Sequence, residues 1–91
     1  MIDLKGKVAI VTGGCNGIGR GTVNVLHRAG AEVACVDVQD EKGHSLAREL
    51  GDRVLYIHAD VTSEDEVAAA FGRVVERFGG IDAVFNNAGT A

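Results

Sequence analysis

Thr12-Gly13-Gly14-Cys15-Asn16-Gly17-Ile18-Gly19 is the stretch that decides the fold, because it joins a short apolar segment to an amphipathic one. Before it, residues 7–11 (Lys-Val-Ala-Ile-Val) are β-branched and apolar, as expected for a parallel strand buried on both faces. After it, small and apolar residues recur at helical spacing, at Ile18, Gly21, Thr22, Val25, Leu26 and Ala29. The glycines are therefore predicted to form a strand-to-helix turn.

A glycine-rich turn of this kind favours an anionic ligand. Glycine can adopt positive φ and let the backbone approach a ligand closely, while the first amides of a helix lack partners within the helix. Those amides and the helix dipole favour an anion by about 0.3–1 kcal/mol per charge, so a dinucleotide pyrophosphate fits the site. The alternative is a purely structural use of glycine. A P-loop is excluded because no Lys-Ser or Lys-Thr pair closes the run, which continues Gly19-Arg20-Gly21.

The spacing of the glycines is Gly-x-x-x-Gly-x-Gly, unlike the Gly-x-Gly-x-x-Gly of the common dinucleotide fingerprint. With the preceding threonine, this loop resembles the cofactor loop of the short-chain dehydrogenase/reductase family. The resemblance covers essentially all 91 residues but only the cofactor-binding half of the family's fold. The cofactor-binding residues it implies in this loop are Thr12, Gly13, Asn16, Gly17, Ile18 and Gly19.

Asp37 is the candidate ribose ligand. Residues 32–38 predict a second buried strand with Asp37 near its carboxyl end. In Rossmann-type sites an acid about 20 residues beyond the glycines binds the adenosine ribose hydroxyls and disfavours a 2′-phosphate. Two like charges about 4 Å apart repel by about 4 kcal/mol at an effective dielectric of 20, and positions 15, 16, 38 and 39 hold no Arg or Lys. Asp37 with the adjacent Val38 therefore predicts NAD rather than NADP, the alternative being a solvated acid at a strand end.

Residues 53–59 predict a third strand that ends at Asp60-Val61. The resemblance implies that this pair contacts the adenine ring, with the carboxylate of Asp60 facing the exocyclic amine. The residues alone offer a second interpretation, since Ser63 and Glu66 have the spacing of a capping box at a helix start. Both roles are compatible.

Residues 81–85 predict a fourth strand, which Asn86-Asn87-Ala88-Gly89 follows at the carboxyl edge where open α/β sheets bind ligands. In the family this segment supports the central sheet and borders the cofactor ribose. The resemblance thus implies cofactor contacts from Asn87, Ala88 and Gly89.

Strand and helix signals alternate, with helices predicted at residues 18–29, 41–50 and 63–78. Alternation of this kind favours an α/β fold, a Rossmann-type doubly wound parallel sheet (βαβαβαβ) of order 3-2-1-4, with helices on both faces. We expect residues 1–91 to be a partial dinucleotide-binding domain, truncated after strand four. That strand would be an exposed apolar edge through which the chain could associate.

Composition excludes several function classes. A net charge of −4 and a pI near 5.2 argue against nucleic-acid binding. No apolar run approaches the length of a membrane span, and the start lacks a signal peptide's pattern, so we expect no membrane partner and a cytoplasmic location.

Neither the histidines nor the cysteines predict a special site. His27, His44 and His58 fall in separate elements, so no metal site is expected. Cys15 and Cys35 have unlike settings and predict no disulfide framework. Cys35 is predicted to be a small core residue and Cys15 an inert loop thiol, with a lowered pKa of Cys15 as the alternative.

Residues for hydride transfer are not found in this sequence. The family uses a serine, a Tyr-x-x-x-Lys pair and a further asparagine, whereas the single tyrosine, Tyr56, is followed four positions later by Asp60. We therefore assign no catalytic residue and expect the chain alone to be inactive. The leading hypothesis is the amino-terminal half of an NAD-dependent short-chain oxidoreductase acting on secondary alcohols or ketones. The alternative is a non-catalytic nucleotide-binding or interaction module, and a flavodoxin-like regulatory domain is weaker because it does not predict Asp37.

Overall fold

The computed structural model describes residues 2–87, in which four strands alternate with three helices. The strands are β1 (Val8–Thr12), β2 (Glu32–Asp37), β3 (Val54–His58) and β4 (Ala83–Asn86). The helices are α1 (Gly17–Arg28), α2 (Asp40–Leu50) and α3 (Glu64–Phe78). Every predicted element is present, and its ends lie within one or two residues of the predicted ones.

The four strands form one parallel sheet of order β3-β2-β1-β4, which confirms the predicted topology. In the register, Ile10 of β1 lies opposite Ala34 of β2 and Val84 of β4. Parallel neighbours require crossover connections, and the helices supply them. The carboxyl ends of the strands therefore meet at one edge, where the candidate site is built.

Both faces of the sheet are covered. On one face Val11 packs in a core with Val23 of α1 and Leu46 of α2. On the other face Ile10 packs with Ala70 and Val74 of α3. Because successive strand residues point to opposite faces, all five residues of β1 are buried, as the unbroken apolar run predicted.

Helix α1 buries a different face from the one that periodicity predicts. In α1 the sheet covers Val23 and Leu26, whereas Ile18 and Val25 are 81% and 64% exposed. In α3 the apolar spacing predicts one face, and Val74 of that face is buried with Phe71 and Phe78 packed against the core, whereas Val75 is exposed. The apolar stripe of α1 is thus divided between the sheet and an open groove whose far wall is formed by β4. The groove is lined by Ile18, Gly21, Thr22, Val25, Leu26 and Phe85.

Strand β4 begins at Ala83 rather than at residue 81 because the Asp82 side chain enters the backbone pairing. Its Oδ2 accepts the Val8 N–H at 2.8 Å, and its own N–H donates to the Val8 carbonyl at 2.8 Å. Beyond that point β4 forms the edge of the described sheet. Val84 and Phe85 are partly exposed on opposite faces, as expected for an apolar edge strand.

Gly43 has a packing role that helix propensity does not reveal. The sequence marks it as a weak point of α2, yet it is buried, and an added Cβ would lie 2.1 Å from a ring carbon of Tyr56. Only a glycine lets α2 approach β3 this closely. Tyr56 itself is buried, and its position in a predicted strand already favours a packing role over a catalytic one.

Candidate functional site

Two glycines, one in the loop after β1 and one at the first position of α1, lie in the left-handed region. Gly13 has φ +66° and Gly17 has φ +51°, conformations that L side chains rarely adopt. The N–H of Gly13 donates to the Val36 carbonyl of β2 at 2.8 Å, which anchors the start of the loop to the neighbouring strand. The predicted strand-to-helix turn is therefore present at the carboxyl edge of the sheet.

The loop and the first turn of α1 are in close backbone contact. An added Cβ at Gly19 would lie 1.9 Å from the Gly13 carbonyl oxygen. At Gly14 it would lie 2.6 Å from the Cys35 Sγ, which makes Gly14 a required glycine that the motif analysis did not single out. Because neither glycine has a side chain, the loop can lie close to the sheet at Gly14 and to the helix at Gly19.

The amino terminus of α1 points its amides at this loop without a side-chain cap. Asn16 occupies the N-cap position but makes no capping hydrogen bond, and the first turn carries no acidic residue. By contrast, Ser63 caps α3 by accepting the Glu66 N–H. The first amides of α1 and its dipole therefore fit an anionic group, and the exposed side chain of Ile18 flanks them.

Asp37 lies beside the loop, at the end of β2. Its Oδ2 accepts the Cys15 N–H at 3.2 Å, and its Oδ1 accepts the Val38 N–H at 2.7 Å. The structure thus brings the predicted ribose ligand and the predicted phosphate loop together. Val38 is half-exposed next to them.

The two cysteines are in contact, which the sequence did not predict. Cys15 Sγ and Cys35 Sγ lie 3.7 Å apart, and both thiols are buried beneath the loop. Burial raises the pKa of Cys15 to about 11 and also raises the pKa of Cys35. Cys35 is confirmed as a core residue, and the alternative of a lowered pKa for Cys15 is wrong because desolvation outweighs the lowering effects of the Cys35 hydrogen bond and of Lys42.

Asp60 follows the carboxyl end of β3, at the start of the turn that leads into α3. Its Oδ1 accepts the Thr62 N–H and the Thr62 hydroxyl proton, at 2.9 and 2.7 Å, and these bonds lower the pKa of Asp60. Glu66 reaches back to the Asp60 N–H at 3.0 Å rather than to Ser63 as a standard capping box would. Asp60 and Val61 therefore take part in the entry to α3, at the same edge as Asp37.

The fourth predicted segment joins β4 to the end of β1. The Thr12 hydroxyl donates to Asn86 Oδ1 at 2.8 Å, and the Asn87 N–H lies 3.2 Å from both the carbonyl and the hydroxyl oxygen of Thr12. Thr12 is buried and links β1 to β4 at the base of the glycine loop, and its predicted contact with a cofactor stays a prediction. Ala88 and Gly89 lie outside the described residues.

A hydrogen-bonded cluster adjoins Asp37 on the side of β3. Asp40 Oδ1 lies 2.6 Å from the Tyr56 hydroxyl and 2.6 Å from His58 Nδ1. The bonds from Tyr56 and His58 lower the pKa of Asp40, and the bond to Asp40 raises the pKa of His58. The cluster ties the start of α2 to the end of β3.

This cluster predicts a pH dependence of stability. The pKa of His58 is raised in the folded chain, so protonated His58 stabilises the fold fully at pH values below its ordinary pKa of 6.5. This stabilisation is lost as the pH rises through the raised pKa. The ionised carboxylate of Asp40 stabilises the fold fully at pH values above its ordinary pKa of 3.8. This stabilisation is lost as the pH falls through the lowered pKa of the folded chain. We expect the urea midpoint to fall between about pH 6 and about pH 8 in the unmodified chain and to fall less in His58→Gln. An equal fall in both proteins would contradict this assignment.

Residues 2–87 contain no cluster of three His, Cys, Asp or Glu side chains able to hold a metal ion. Over the same range, none of the helices has the length and apolar character needed to cross a membrane.

Comparison with known proteins identifies the family. The sequence profile described as short chain dehydrogenase matches residues 7–91. The chain belongs to the short-chain dehydrogenase/reductase family. (+)-Borneol dehydrogenase 1 of Salvia officinalis is 51% identical over 86 residues, which are 94% of this chain and 33% of that protein. Momilactone A synthase of Oryza sativa subsp. japonica is 52% identical over 89 residues, which are 97% of this chain and 32% of that protein.

Solved structures agree with this assignment to the short-chain dehydrogenase/reductase family. A 3-ketoacyl-(acyl-carrier-protein) reductase from Brucella melitensis, crystallised with NADH, matches with a TM-score of 0.87 and 35% identity. The match covers 90% of this chain and 34% of that one. The chain spans about a third of the length of the curated relatives it matches.

One further residue of this short-chain dehydrogenase/reductase chain reaches the loop without having been predicted. Lys42, in the first turn of α2, donates from Nζ to Asn16 Oδ1 at 2.8 Å. The prediction of an NAD preference rests on positions 15, 16, 38 and 39 and does not include Lys42. The signal that could have found Lys42 is its place in the first turn of a helix that starts at the same edge of the sheet.

Proposed function

We propose that this chain binds a nicotinamide dinucleotide, with NAD preferred over NADP, as the cofactor-binding part of a short-chain oxidoreductase. The observation that carries the proposal is the uncapped amino terminus of α1 set beside the Asp37 carboxylate at the carboxyl edge of the sheet. An anion-binding helix end next to a ribose-binding acid matches the two polar parts of an adenine dinucleotide.

The pyrophosphate is assigned to the glycine loop. Gly13 and Gly17 are in conformations that let the backbone turn outward, and no atom would lie within 4 Å of a Cβ added at Gly17. Amides of Gly17, Ile18 and Gly19 would face the phosphates, with a contribution of about 0.3–1 kcal/mol per charge. When bound, the cofactor supplies the nicotinamide ring that accepts or donates a hydride.

The adenosine half is assigned to the carboxyl ends of β2 and β3. Asp37 would accept hydrogen bonds from the ribose hydroxyls, with Val38 beside them, while Asp60 and Val61 would border the adenine. Asn87 would lie at the opposite side of the loop, next to Thr12. Ala88 and Gly89 remain part of the proposed cofactor edge on the resemblance alone.

Asp37 also gives a test of the preference for NAD. In Asp37→Asn the charge is removed, and an oxygen remains for the ribose and for the Cys15 N–H. Half of a repulsion of about 4 kcal/mol corresponds to more than tenfold in affinity, so we expect the NADPH-to-NADH affinity ratio to rise by about tenfold or more. Titrations with both dinucleotides measure it. Equal affinity of the unmodified chain for NADH and NADPH would overturn the ribose assignment.

For the longer protein we propose reversible oxidation of a secondary alcohol to a ketone. The 91-residue chain by itself is proposed to bind cofactor without turnover, because its only tyrosine is buried in β3 and lacks a lysine four positions later. Alcohol-dependent formation of NADH by the purified chain would overturn that part.

Calorimetric titration of NADH into the chain, with its fold checked by circular dichroism, tests the binding proposal. Saturable binding of one NADH per chain supports it. A folded chain that binds no dinucleotide contradicts it.

A further inference from the structure

Lys42 brings a positive charge from α2 to the amino terminus of α1. Its Nζ lies 2.8 Å from Asn16 Oδ1, and both side chains are exposed. The side-chain oxygen of Asn16 accepts from Lys42 and makes no capping hydrogen bond to its own helix. A cation and a helix amino terminus without a side-chain cap therefore flank the same loop.

Lys42 and Asp37 bind consecutive residues of that loop. Asp37 Oδ2 accepts the N–H of Cys15, and Lys42 donates to the side chain of Asn16. Side chains of opposite charge thus contact adjacent residues of the loop, next to the carboxylate that is proposed to hold a ribose. The adjacent carboxylate of Asp40 is already engaged by Tyr56 and His58.

We propose that Lys42 is a specificity-determining residue that binds the 2′-phosphate of NADP and so reduces the preference for NAD that Asp37 imposes. The inference rests on the proposed function of this site. A lysine is a compact charge on a flexible stem, and Asn16 is a neutral, solvent-exposed acceptor. If Lys42 donated to a phosphate instead of to Asn16, its partner would be charged rather than neutral, and the hydrogen bond would be stronger. The monoester carries a charge of about −1.5 to −2 near neutral pH, so it gains more from Lys42 than the ribose hydroxyl of NAD does.

The test compares NADH and NADPH binding in four proteins by calorimetry at low salt. Asp37→Asn serves as the background, because NADPH is expected to bind it measurably. Adding Lys42→Met should weaken NADPH binding by about threefold to tenfold and NADH binding by less, whereas Lys42→Arg should keep NADPH affinity within about twofold. Lys7→Met is the matched control, since it removes the same charge from an exposed site at the opposite edge of the sheet, and it should change neither affinity.

The outcomes separate this inference from the proposed function. If Lys42→Met leaves the NADPH-to-NADH ratio unchanged, the role of Lys42 is wrong, although binding of NADH still supports the cofactor site. If both affinities fall equally, Lys42 acts on the part common to the two cofactors, which also contradicts the proposal. A selective loss that shrinks between about 0.05 M and about 0.5 M salt supports it, because screening weakens an exposed charge pair.

Discussion

Gly19→Ala is expected to abolish dinucleotide binding and to destabilise the fold by about 3 kcal/mol. The added Cβ would lie 1.9 Å from the carbonyl oxygen and 2.8 Å from the carbonyl carbon of Gly13. Both are backbone atoms, so no side chain can rotate to make room. The loop must separate from α1, and the amides that would bind the pyrophosphate lose their arrangement.

Gly21→Ala is the matched control for this substitution. Gly21 lies in the same helix, and no atom would come within 4 Å of its added Cβ. Alanine is the better helix former by about 1 kcal/mol, so Gly21→Ala should be neutral or stabilising. Urea denaturation and NADH titration measure both effects. If Gly19→Ala behaved like Gly21→Ala, the tight contact between loop and helix would be refuted.

Gly43→Ala is expected to destabilise the chain by about 2–3 kcal/mol, although alanine favours a helix by about 1 kcal/mol. The new Cβ would lie 2.1 Å from the Tyr56 ring. That ring has little freedom to move, because its hydroxyl donates to the Asp37 carbonyl oxygen at 3.0 Å and the ring makes a T-shaped contact with His44, with centroids 5.0 Å apart. Helix α2 must therefore shift away from β3, which would also displace Lys42 from the loop.

The control for Gly43→Ala is Gly72→Ala, in an exposed position of α3 with no atom within 4 Å of the added Cβ. It should raise the urea midpoint slightly. A double-mutant cycle with Tyr56→Ala identifies the cause, since removal of the ring should make Gly43→Ala far less costly. A higher midpoint for Gly43→Ala alone would show that propensity, and not packing, governs this position.

The fold could be predicted from sequence because its signals are local. Apolar runs of strand length, helical periodicity and glycines at the turns predict seven elements in order, and the parallel topology follows from their alternation. The sequence predicts less well which residues of each helix are buried. Val75 and Val25 fit the apolar spacing but are exposed, because the spacing of apolar residues does not tell which of them meets the sheet.

The candidate site, too, can be predicted from the sequence only in part. Gly13, Gly17 and Asp37 belong to a motif whose spacing carries the information, and the structure brings them together. The contact between Cys15 and Cys35, the reach of Lys42 to Asn16 and the need for glycine at position 43 each join separate elements. Such contacts depend on the distance between packed elements, which a single sequence does not encode locally.

The link between Thr12 and Asn86 has a consequence for synthesis. The two residues are 74 positions apart, although their strands are adjacent in the sheet. A nascent chain can pair β1 with β2 early, but the other side of β1 waits for β4, and such non-local pairing is slow. Until then β1 presents an unpaired apolar edge to other chains. Of the four described strands, the base of the glycine loop is therefore the part completed last as the chain emerges.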